Sequence, residues 1–438
     1  MKIISDHTFS AVVPAKEGGM VFNAFLFDAL LEYYQDIKIS VLTDLINVSE
    51  LQQTYYKCLK KYPDRFKFCI VNTFKPWYSI RWIRVVYLYF KMFFYMVFKK
   101  KKVSKTKEKI VSEFRFMLPK DLAKIKVDGD VLFSSSMILD FPYYWAGPHV
   151  FLIHDLFAIQ LAYVFRKTIP DIDQINEKCI KKINDFVDKG TWFVNTSEYT
   201  QREQLLKYTN VPKDRSAVIP FPPIFHTYNP LEILSESAIR NKYHIGGKYV
   251  FVASQNRPNK NWAVILRALA KLKKQGIKIY FVTTGRISDI KSDEQLAHDL
   301  NIEDLILEVG QVSPSDLYAL YKYSSIVVAS TLIEGMGISG QALEALVTET
   351  PVIHARSFGI DESLQAVGLT QKTADLNWFD CDDSDYLVEK IKDVLSNPES
   401  HIEKQRNVLT AYKTRTWKEV AANYMKIFKQ AIKSKHGG

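Results

Sequence analysis

The sequence predicts an α/β protein with two doubly wound parallel sheets. The chain has 438 residues, and single hydrophobic cores stop growing near roughly 250–300 residues, so two domains are expected. Short apolar runs alternate with amphipathic helical patterns through the second half, which is typical of a parallel sheet flanked by helices. Prolines 220, 222, 223 and 230 precede a polar stretch that ends at Gly246 and Gly247, and this composition marks a linker. We therefore predict domains over 1–225 and 226–415, followed by a terminal helix over 416–438.

The second half shows the alternation most clearly. The β-branched and aromatic run 249–254 predicts a strand, and apolar residues then recur at three- and four-residue spacing through 260–275, which predicts a helix. The same alternation predicts strands at 278–283, 305–309, 326–330 and 351–355 and helices at 292–299, 314–323, 340–348 and 383–396.

The first half is less regular, but its apolar runs predict a second sheet of the same kind. The predicted strands are 37–43, 68–72, 130–134, 150–154 and 191–196. The last helix, 417–432, has no strand after it to pair with, so it can pack back across the first domain.

Composition restricts the kind of partner and the compartment. The net charge of +11 favours anionic partners, which could be phosphorylated substrates, anionic lipid or nucleic acid. The four cysteines have no short paired spacing, so neither a disulfide framework nor a zinc site is indicated. The apolar stretch at the N-terminus is broken by Asp6 and His7 and is not typical of a secretory signal. We expect a cytoplasmic protein.

Residues 80–98 are dense in aromatic side chains and are followed by the basic run Lys99–Lys102. A membrane-spanning helix needs about 20 largely apolar residues, and Arg81, Arg84 and Lys91 interrupt this one. The 80–102 segment therefore predicts an interfacial helix that holds the protein on the inner face of the membrane. The alternative is a core helix followed by solvated lysines.

Two groups of candidate site residues lie in the first half. Gly18 and Gly19 precede an apolar helix, where backbone N–H groups and the helix dipole favour an anion. The alternative is an ordinary strand-to-helix turn. His154 and Asp155 end a strand at the edge where ligands bind in open α/β sheets. A histidine there can bind a substrate hydroxyl or act beside a reacting carbon, or it can be purely structural.

Two more groups lie in the second half. Arg257 and Lys260 follow a strand and precede a helix, where two cations can neutralise a diphosphate; the alternative is a solvated basic loop. Glu334 and Glu344 flank a glycine-rich stretch, and a carboxylate can accept both hydrogens of a ribose diol while glycines let backbone amides approach a sugar. Both glutamates could also be exposed acids.

The order of these motifs resembles the retaining GT-B glycosyltransferases of the group 1 family, also called family 4, most clearly over 249–396. The resemblance is carried by Arg257, Lys260-Asn261, Val309-Gly310-Gln311-Val312, Asp316-Leu317-Tyr318, Leu320-Tyr321, Ser330, Glu334-Gly335-Met336-Gly337, Glu344-Ala345-Leu346 and Thr350-Pro351-Val352-Ile353. One feature departs from the family: nine residues separate Glu334 from Glu344, whereas the family pattern has seven. Either the loop bulges and both carboxylates keep their roles, or one of them does not.

The resemblance implies two domains that face each other across a cleft, and it assigns a role to each candidate. Arg257 and Lys260 would bind the donor diphosphate together with Gly18 and Gly19. Glu344 would bind the ribose. The two catalytic candidates are Glu334, which would contact the transferred sugar, and His154, which would lie near its reactive carbon. The backbone of the sugar-binding stretch would be that of Gly335, Met336, Gly337 and Ile338.

The expected function is therefore a metal-independent, retaining hexosyltransferase without a cofactor. Its donor would be a GDP- or UDP-linked sugar, with mannose favoured by the resemblance at His154-Asp155, and its acceptor a glycan or lipid-linked glycan of bacterial-type surface polysaccharide synthesis. The altered glutamate spacing leaves open a catalytically silent GT-B protein that binds an anionic surface or a partner. A nucleic-acid-binding protein would explain the charge, but no recognition motif supports it, so no nucleic-acid partner is expected.

Overall fold

The computed structural model describes residues 1–7, 18–43, 48–70, 126–136, 141–223 and 233–436. The predicted 80–102 segment lies outside these ranges, as does part of the predicted linker. The chain divides into two compact units. The first contains Met1–Leu152, Phe186–Phe193 and Ala421–Gly438, and the second contains Ile153–Asp185 and Val194–Val420. The domain limits predicted at 225 and 415 stay predictions.

The described strands form two sheets whose order confirms the doubly wound architecture. One sheet has the order β3-β2-β1-β4-β5-β6-β7 and the other β10-β9-β8-β11-β12. Neighbouring strands within β1–β5 and within β8–β12 pair in parallel. The strands are β1 (Lys2–Asp6), β2 (Lys38–Thr43), β3 (Phe66–Ile70), β4 (Val131–Ser134), β5 (His149–Ile153), β6 (Trp192–Asn195), β7 (Ser216–Val218), β8 (Tyr249–Val252), β9 (Tyr280–Thr283), β10 (Ile306–Glu308), β11 (Ile326–Ala329) and β12 (Val352–His354).

The predicted helices are also present, with ends shifted by a few residues. The described α-helices are α1 (Gly18–Tyr33), α2 (Val48–Thr54), α3 (Tyr56–Lys61), α4 (Phe157–Gln160), α5 (Ala162–Phe165), α6 (Ile172–Asp188), α7 (Leu206–Tyr208), α8 (Glu236–Tyr243), α9 (Trp262–Lys274), α10 (Lys291–Asp299), α11 (Pro314–Lys322), α12 (Gly340–Val347), α13 (Ile360–Gln365), α14 (Ser384–Ser396), α15 (Pro398–Lys413) and α16 (Trp417–His436). A π-helical turn, Thr200–Leu205, leads into α7. Among the described residues, no helix is both long and apolar enough to cross a bilayer.

Strand β1 and helices α13 and α15 are among the elements that were not predicted. Only two of the five residues of β1 are apolar, so the segment is too short and too polar for periodicity to identify a strand. Pro398 starts α15 directly after α14, because proline fits the first turn of a helix, where its missing N–H costs nothing.

The second sheet has an apolar core on each face. Successive side chains of a strand point to opposite faces. Tyr249 and Phe251 of β8 accordingly join the core that contains α11 and α12 residues, whereas Val250 and Val252 join the core beneath α9 and α14. Because both faces are covered by helices, the strand is apolar at every position rather than alternating, which is the pattern that predicted it.

In the first unit, the terminal helix α16 packs against the sheet, as the sequence suggested. The ring of Phe133 on β4 lies 5.7 Å from that of Tyr424 and 6.1 Å from that of Phe428, in edge-to-face geometry. Tyr424 also contacts Phe22 of α1, with ring centroids 6.2 Å apart. The aromatic side chains of α16 therefore complete the apolar core of the first sheet.

Candidate functional site

The strand order of the second sheet brings two predicted loops together. Strands β8 and β11 are neighbours in the sheet. After β8 the next strand, β9, lies on one side of this pair, and after β11 the next strand, β12, lies on the other side. This is the topological switch point at which ligands bind in open α/β sheets. The loop after β8 carries Arg257 and Lys260, and the loop after β11 carries Glu334.

Lys260 and Glu334 form an ion pair. Lys260 Nζ lies 2.6 Å from Glu334 Oε1, and the two side chains are only 19% and 17% exposed. Such a charge-assisted hydrogen bond, largely screened from water, is stronger than one at the surface. The pair holds one cation and one carboxylate at the switch point, where an incoming ligand can compete for both.

Backbone contacts between the two loops fix this pair. The carbonyl of Asn259 accepts from Leu332 N–H at 2.8 Å and from Thr331 Oγ1 at 3.1 Å. Ser330 Oγ donates to the carbonyl of Lys260 at 2.7 Å. Asn261 adopts a left-handed conformation with φ of 51°, which asparagine tolerates better than most residues. The two loops consequently behave as one unit.

Arg257 lies in the same loop and is half-buried. Its guanidinium donates to Gln255 Oε1 from Nε at 3.1 Å and from Nη2 at 2.8 Å. Its positive charge acts on Asp155, where it opposes the rise in pKa that burial causes.

His154 and Asp155 follow β5 and are both half-buried. Burial lowers the pKa of His154 to about 4, so the ring is neutral near pH 7. Burial raises the pKa of Asp155 to about 7, and the charge of Glu334 adds to that rise, while Arg257 and Lys260 oppose it. Asp155 therefore shares an electrostatic environment with the ion pair, although no role was predicted for it from the sequence.

The glycine-rich stretch after Glu334 lies close against the end of β5. A Cβ atom on Gly335 would lie 2.2 Å from the carbonyl oxygen of His154, so no side chain fits there. The Gly335 carbonyl accepts hydrogen bonds from the hydroxyls of Thr196, Ser197 and Thr200, at 2.9, 2.6 and 2.9 Å. The backbone at Gly335 is fixed on both sides.

The rest of the stretch is also tightly held. Gly337 has φ of +79°, a Cβ there would lie 2.4 Å from the carbonyl oxygen of Gly359, and its N–H donates to the Glu334 carbonyl at 3.0 Å. Met336 is half-buried and Ile338 is fully buried. Two of the four backbone positions assigned to sugar binding thus require glycine for steric reasons alone.

A buried histidine closes this stretch at its far end. His354 Nδ1 lies 2.6 Å from the Ala355 carbonyl, and Nε2 lies 3.1 Å from the backbone N of Ser339. The proton must therefore be on Nδ1, because Nε2 accepts from the Ser339 N–H. Burial lowers the pKa of His354 to about 4, so the acceptor is available near pH 7.

Glu344 lies in the second turn of α12, in a different environment from Glu334. The Tyr321 hydroxyl donates to Glu344 Oε2 at 2.7 Å. Burial raises the pKa of Glu344 to about 7, and this hydrogen bond opposes the rise. Glu344 therefore has a neutral donor as its partner, whereas Glu334 has a cation.

Comparison with known proteins agrees with this geometry. Residues 235–415 match the model of the family described as glycosyl transferases group 1. This region contains both loops of the ion pair, the whole second sheet and both glutamates.

Relatives and solved structures extend the likeness beyond the matched region. It is 23% identical over 300 residues to the D-inositol 3-phosphate glycosyltransferase of Corynebacterium glutamicum, covering 66% of this chain and 68% of that protein. It is 26% identical over 162 residues to the O-antigen chain mannosyltransferase RfbU of Salmonella typhimurium, covering 36% of this chain and 41% of that protein.

Among solved structures, sucrose-phosphate synthase from Thermosynechococcus elongatus superposes with a TM-score of 0.63 at 14% identity, over 99% of this chain and 100% of that one. The Anabaena protein HepE, in complex with UDP-glucose, superposes with a TM-score of 0.61 at 13% identity, over 98% of this chain and 100% of that one. At these identities the likeness shows the fold, which is GT-B.

The group 1 region brings together some of the predicted residues. Lys260 touches Glu334 directly, and Gly335 lies against the strand end that carries His154. Gly18 and Gly19 are the first two residues of α1 and belong to the first unit. The individual roles assigned to these residues stay predictions.

Sequence reasoning missed several neighbours of this site. They are Thr196, Ser197, Thr200, Tyr321 and His354. Tyr321 had a usable signal, since it lies within a quoted motif of the family. The hydroxyls and His354 had none, because their importance depends on which backbone groups they meet in the folded chain.

Proposed function

We propose that this chain is a retaining hexosyltransferase that moves a sugar from a nucleotide diphosphate donor to a glycan or a lipid-linked acceptor. The observation that carries the proposal is the Lys260–Glu334 ion pair at the switch point between β8 and β11. The diphosphate of a nucleotide sugar can bind Lys260 in place of Glu334. The sugar hydroxyls can bind Glu334 in place of Lys260.

The proposed chemistry depends on charge that grows during the reaction. Breaking the glycosidic bond leaves negative charge on the diphosphate, and fixed cations stabilise a transition state most where charge develops. Lys260 and Arg257 would supply this stabilisation without a metal. In a retaining reaction of this kind, the departing phosphate would accept the proton of the acceptor hydroxyl.

The remaining roles follow the environments of the side chains. Neutral His154 can hydrogen-bond a sugar hydroxyl without adding a positive charge beside the forming cation on the sugar ring. Glu344 would accept the ribose hydroxyls, and Gly18 and Gly19 would approach the diphosphate. Backbone amides of the stretch from Gly335 to Ile338 would contact the transferred sugar.

The donor is proposed to be UDP- or GDP-linked, with mannose as the favoured hexose. Similarity to a protein named as a mannosyltransferase supports mannose, and likeness to a structure solved with UDP-glucose supports a nucleotide sugar. The decisive experiment measures hydrolysis of UDP-glucose, GDP-mannose and ADP-glucose without acceptor, together with thermal shifts. At about 100 times its dissociation constant, a ligand adds roughly 2.7 kcal/mol to stability.

A catalytically silent GT-B protein remains the second candidate, because nine residues separate Glu334 from Glu344. Nucleotide sugars would then raise the melting temperature without being hydrolysed. If no donor is hydrolysed and no donor raises the melting temperature, both the hexosyltransferase proposal and the nucleotide-binding role are wrong.

We also propose that the 80–102 segment holds the protein on the cytoplasmic face of an anionic membrane. Each basic residue near such a surface contributes about 1 kcal/mol. Replacing Lys99–Lys102 with glutamine should release the protein from liposomes rich in phosphatidylserine, with little effect on transfer to a short soluble acceptor. If the wild-type protein does not bind these liposomes even at low salt, the membrane assignment is wrong.

A further inference from the structure

Three hydroxyl groups converge on one backbone carbonyl in the second unit. Thr196 Oγ1, Ser197 Oγ and Thr200 Oγ1 lie 2.9, 2.6 and 2.9 Å from the carbonyl oxygen of Gly335. We call these three side chains the hydroxyl clamp. A carbonyl oxygen has two lone pairs, so three donors within hydrogen-bond distance exceed what is needed merely to satisfy it.

Local structure places the clamp. Thr196 follows β6 directly, and its hydroxyl lies between the carbonyls of Gly335 and His154, the latter at 3.2 Å. Ser197 Oγ accepts from the Thr200 N–H at 3.1 Å, as a capping serine does at the start of a helix. The spacing of Ser197 and Thr200 therefore directs both hydroxyls to the same side of this helix start.

The clamp also determines where the next amide points. The described chain contains no cis peptide bond, and in a trans peptide the N–H lies on the side opposite to the carbonyl. Holding the Gly335 carbonyl against the clamp consequently directs the Met336 N–H away from it. Gly335 also lies close against the end of β5, because a Cβ added there would lie 2.2 Å from the His154 carbonyl oxygen.

We infer that Thr196, Ser197 and Thr200 are positioning residues for the donor sugar: through the Gly335 carbonyl, they orient the Met336 amide toward the hydroxyls of the transferred hexose. This inference rests on the proposed function, in which this stretch contacts the sugar. The clamp determines recognition of the sugar half of the donor and has no part in holding the nucleotide half, which is assigned to Glu344.

The test removes hydroxyls without changing side-chain volume. The double variant Thr196→Val/Thr200→Val deletes two donors and leaves the capping Ser197 intact. Thr209→Val is the matched control, since Thr209 Oγ1 donates to the Leu205 carbonyl at 2.6 Å, just beyond the same helical segment. Thr196→Ser/Thr200→Ser restores both hydroxyls and should rescue the wild-type behaviour.

Two measurements separate the possible outcomes. Amide hydrogen exchange of the peptide 334–340 reports on the clamp directly and needs no activity; exchange should become faster in the double valine variant and stay unchanged in the control. Calorimetry with GDP-mannose and UDP-glucose, against GDP and UDP, reports on recognition. We expect nucleotide-sugar affinity to fall about five- to tenfold, as for one lost hydrogen bond, with nucleoside diphosphate affinity unchanged.

If amide exchange of residues 334–340 is the same in the double valine variant as in the wild-type protein, the hydroxyl clamp does not hold this loop and the inference is wrong. Equal losses for nucleotide sugar and free nucleotide would also overturn it, because the hydroxyls would then only support the local fold. Failure of the wild-type protein to bind any nucleotide sugar would instead contradict the proposed function and the sugar role together, while the exchange measurement would still decide whether the clamp fixes the loop.

Discussion

The loop from Glu334 to Ser339 and the helix α12 that follows it each carry one glutamate of the same motif, but they hold it in different ways. Glu334 is paired with the Lys260 ammonium at 2.6 Å. Glu344 accepts from the Tyr321 hydroxyl at 2.7 Å, and burial raises its pKa to about 7. The loop is fixed by close backbone contacts, whereas Cβ space is open at Gly340, where the helix starts.

This difference shows that two glutamates of one motif can have different partners. The ammonium group beside Glu334 gives the loop a charged contact that a charged ligand can replace. The Tyr321 hydroxyl offsets only part of the cost of burying Glu344, so the charge of Glu344 depends on pH near 7. Substitutions in both segments and in their partners test this comparison.

Gly335→Ala against Gly340→Ala should give the largest contrast. A methyl group at Gly335 must displace the His154 carbonyl, whereas one at Gly340 meets nothing within 4 Å. We expect Gly335→Ala to lower kcat/KM for transfer at least about 100-fold, as misplacement by an ångström can. Gly340→Ala should be neutral or stabilise the helix by about 0.5–1 kcal/mol. Similar activity in both variants would contradict the close packing of the loop.

Lys260→Ala should have the second largest effect. The loss of a charge-assisted phosphate contact predicts a decrease in kcat/KM of about 10- to 100-fold. The variant also leaves Glu334 mostly buried without its cation, so urea unfolding should show a loss of stability. Lys260→Ala/Glu334→Ala should recover part of that stability without recovering activity. Additive stability losses in this double-mutant cycle would mean that the ion pair contributes little.

Glu344→Gln and Glu334→Gln should separate the two halves of the donor. Glu344→Gln should weaken binding of free UDP or GDP about five- to tenfold, whereas Glu334→Gln should bind free nucleotide normally and transfer poorly. Because the pKa of Glu344 is about 7, wild-type nucleotide affinity should rise between pH 6 and 8 as the carboxylate forms. Calorimetry should show no such rise in Glu344→Gln; an identical pH profile would contradict the ribose assignment.

The pH dependence of stability gives a related check on Glu344. Burial raises its pKa in the folded chain from the ordinary 4.5 to about 7, so the folded state binds the extra proton and the contribution of Glu344 to stability is lost as pH rises from 4.5 toward 7. Glu344→Gln should lack this loss in urea unfolding measured across that range.

His354→Leu should have the smallest effect on transfer, a few-fold decrease in kcat, because the Ser339 N–H loses its acceptor while the sugar-binding residues remain. Its clearer signature is in stability. Burial lowers the pKa of His354 in the folded chain from the ordinary 6.5 to about 4, so its stabilising effect is present above pH 6.5 and lost as pH falls toward 4. The slope of stability between those values should be shallower in His354→Leu, and an unchanged slope would contradict the buried neutral ring.

Sequence alone predicted most of the architecture. The strands from 249 to 396 and every helix there except α13 were predicted within a few residues, because each strand is apolar on both faces and each helix has one apolar face. Motif order predicted the family model that residues 235–415 match. It also selected Lys260 and Glu334, two residues far apart in sequence that follow neighbouring strands.

Tertiary structure alone decided how the candidate site is held. Sequence patterns record the period of a helix or strand, but they do not record which backbone carbonyl a hydroxyl meets across the fold. The clamp on Gly335, the bond from Ser339 to His354 and the raised pKa of Asp155 all arise between segments that are remote in sequence. Their strength depends on distance and on exclusion of water, and both are fixed only when the chain has packed.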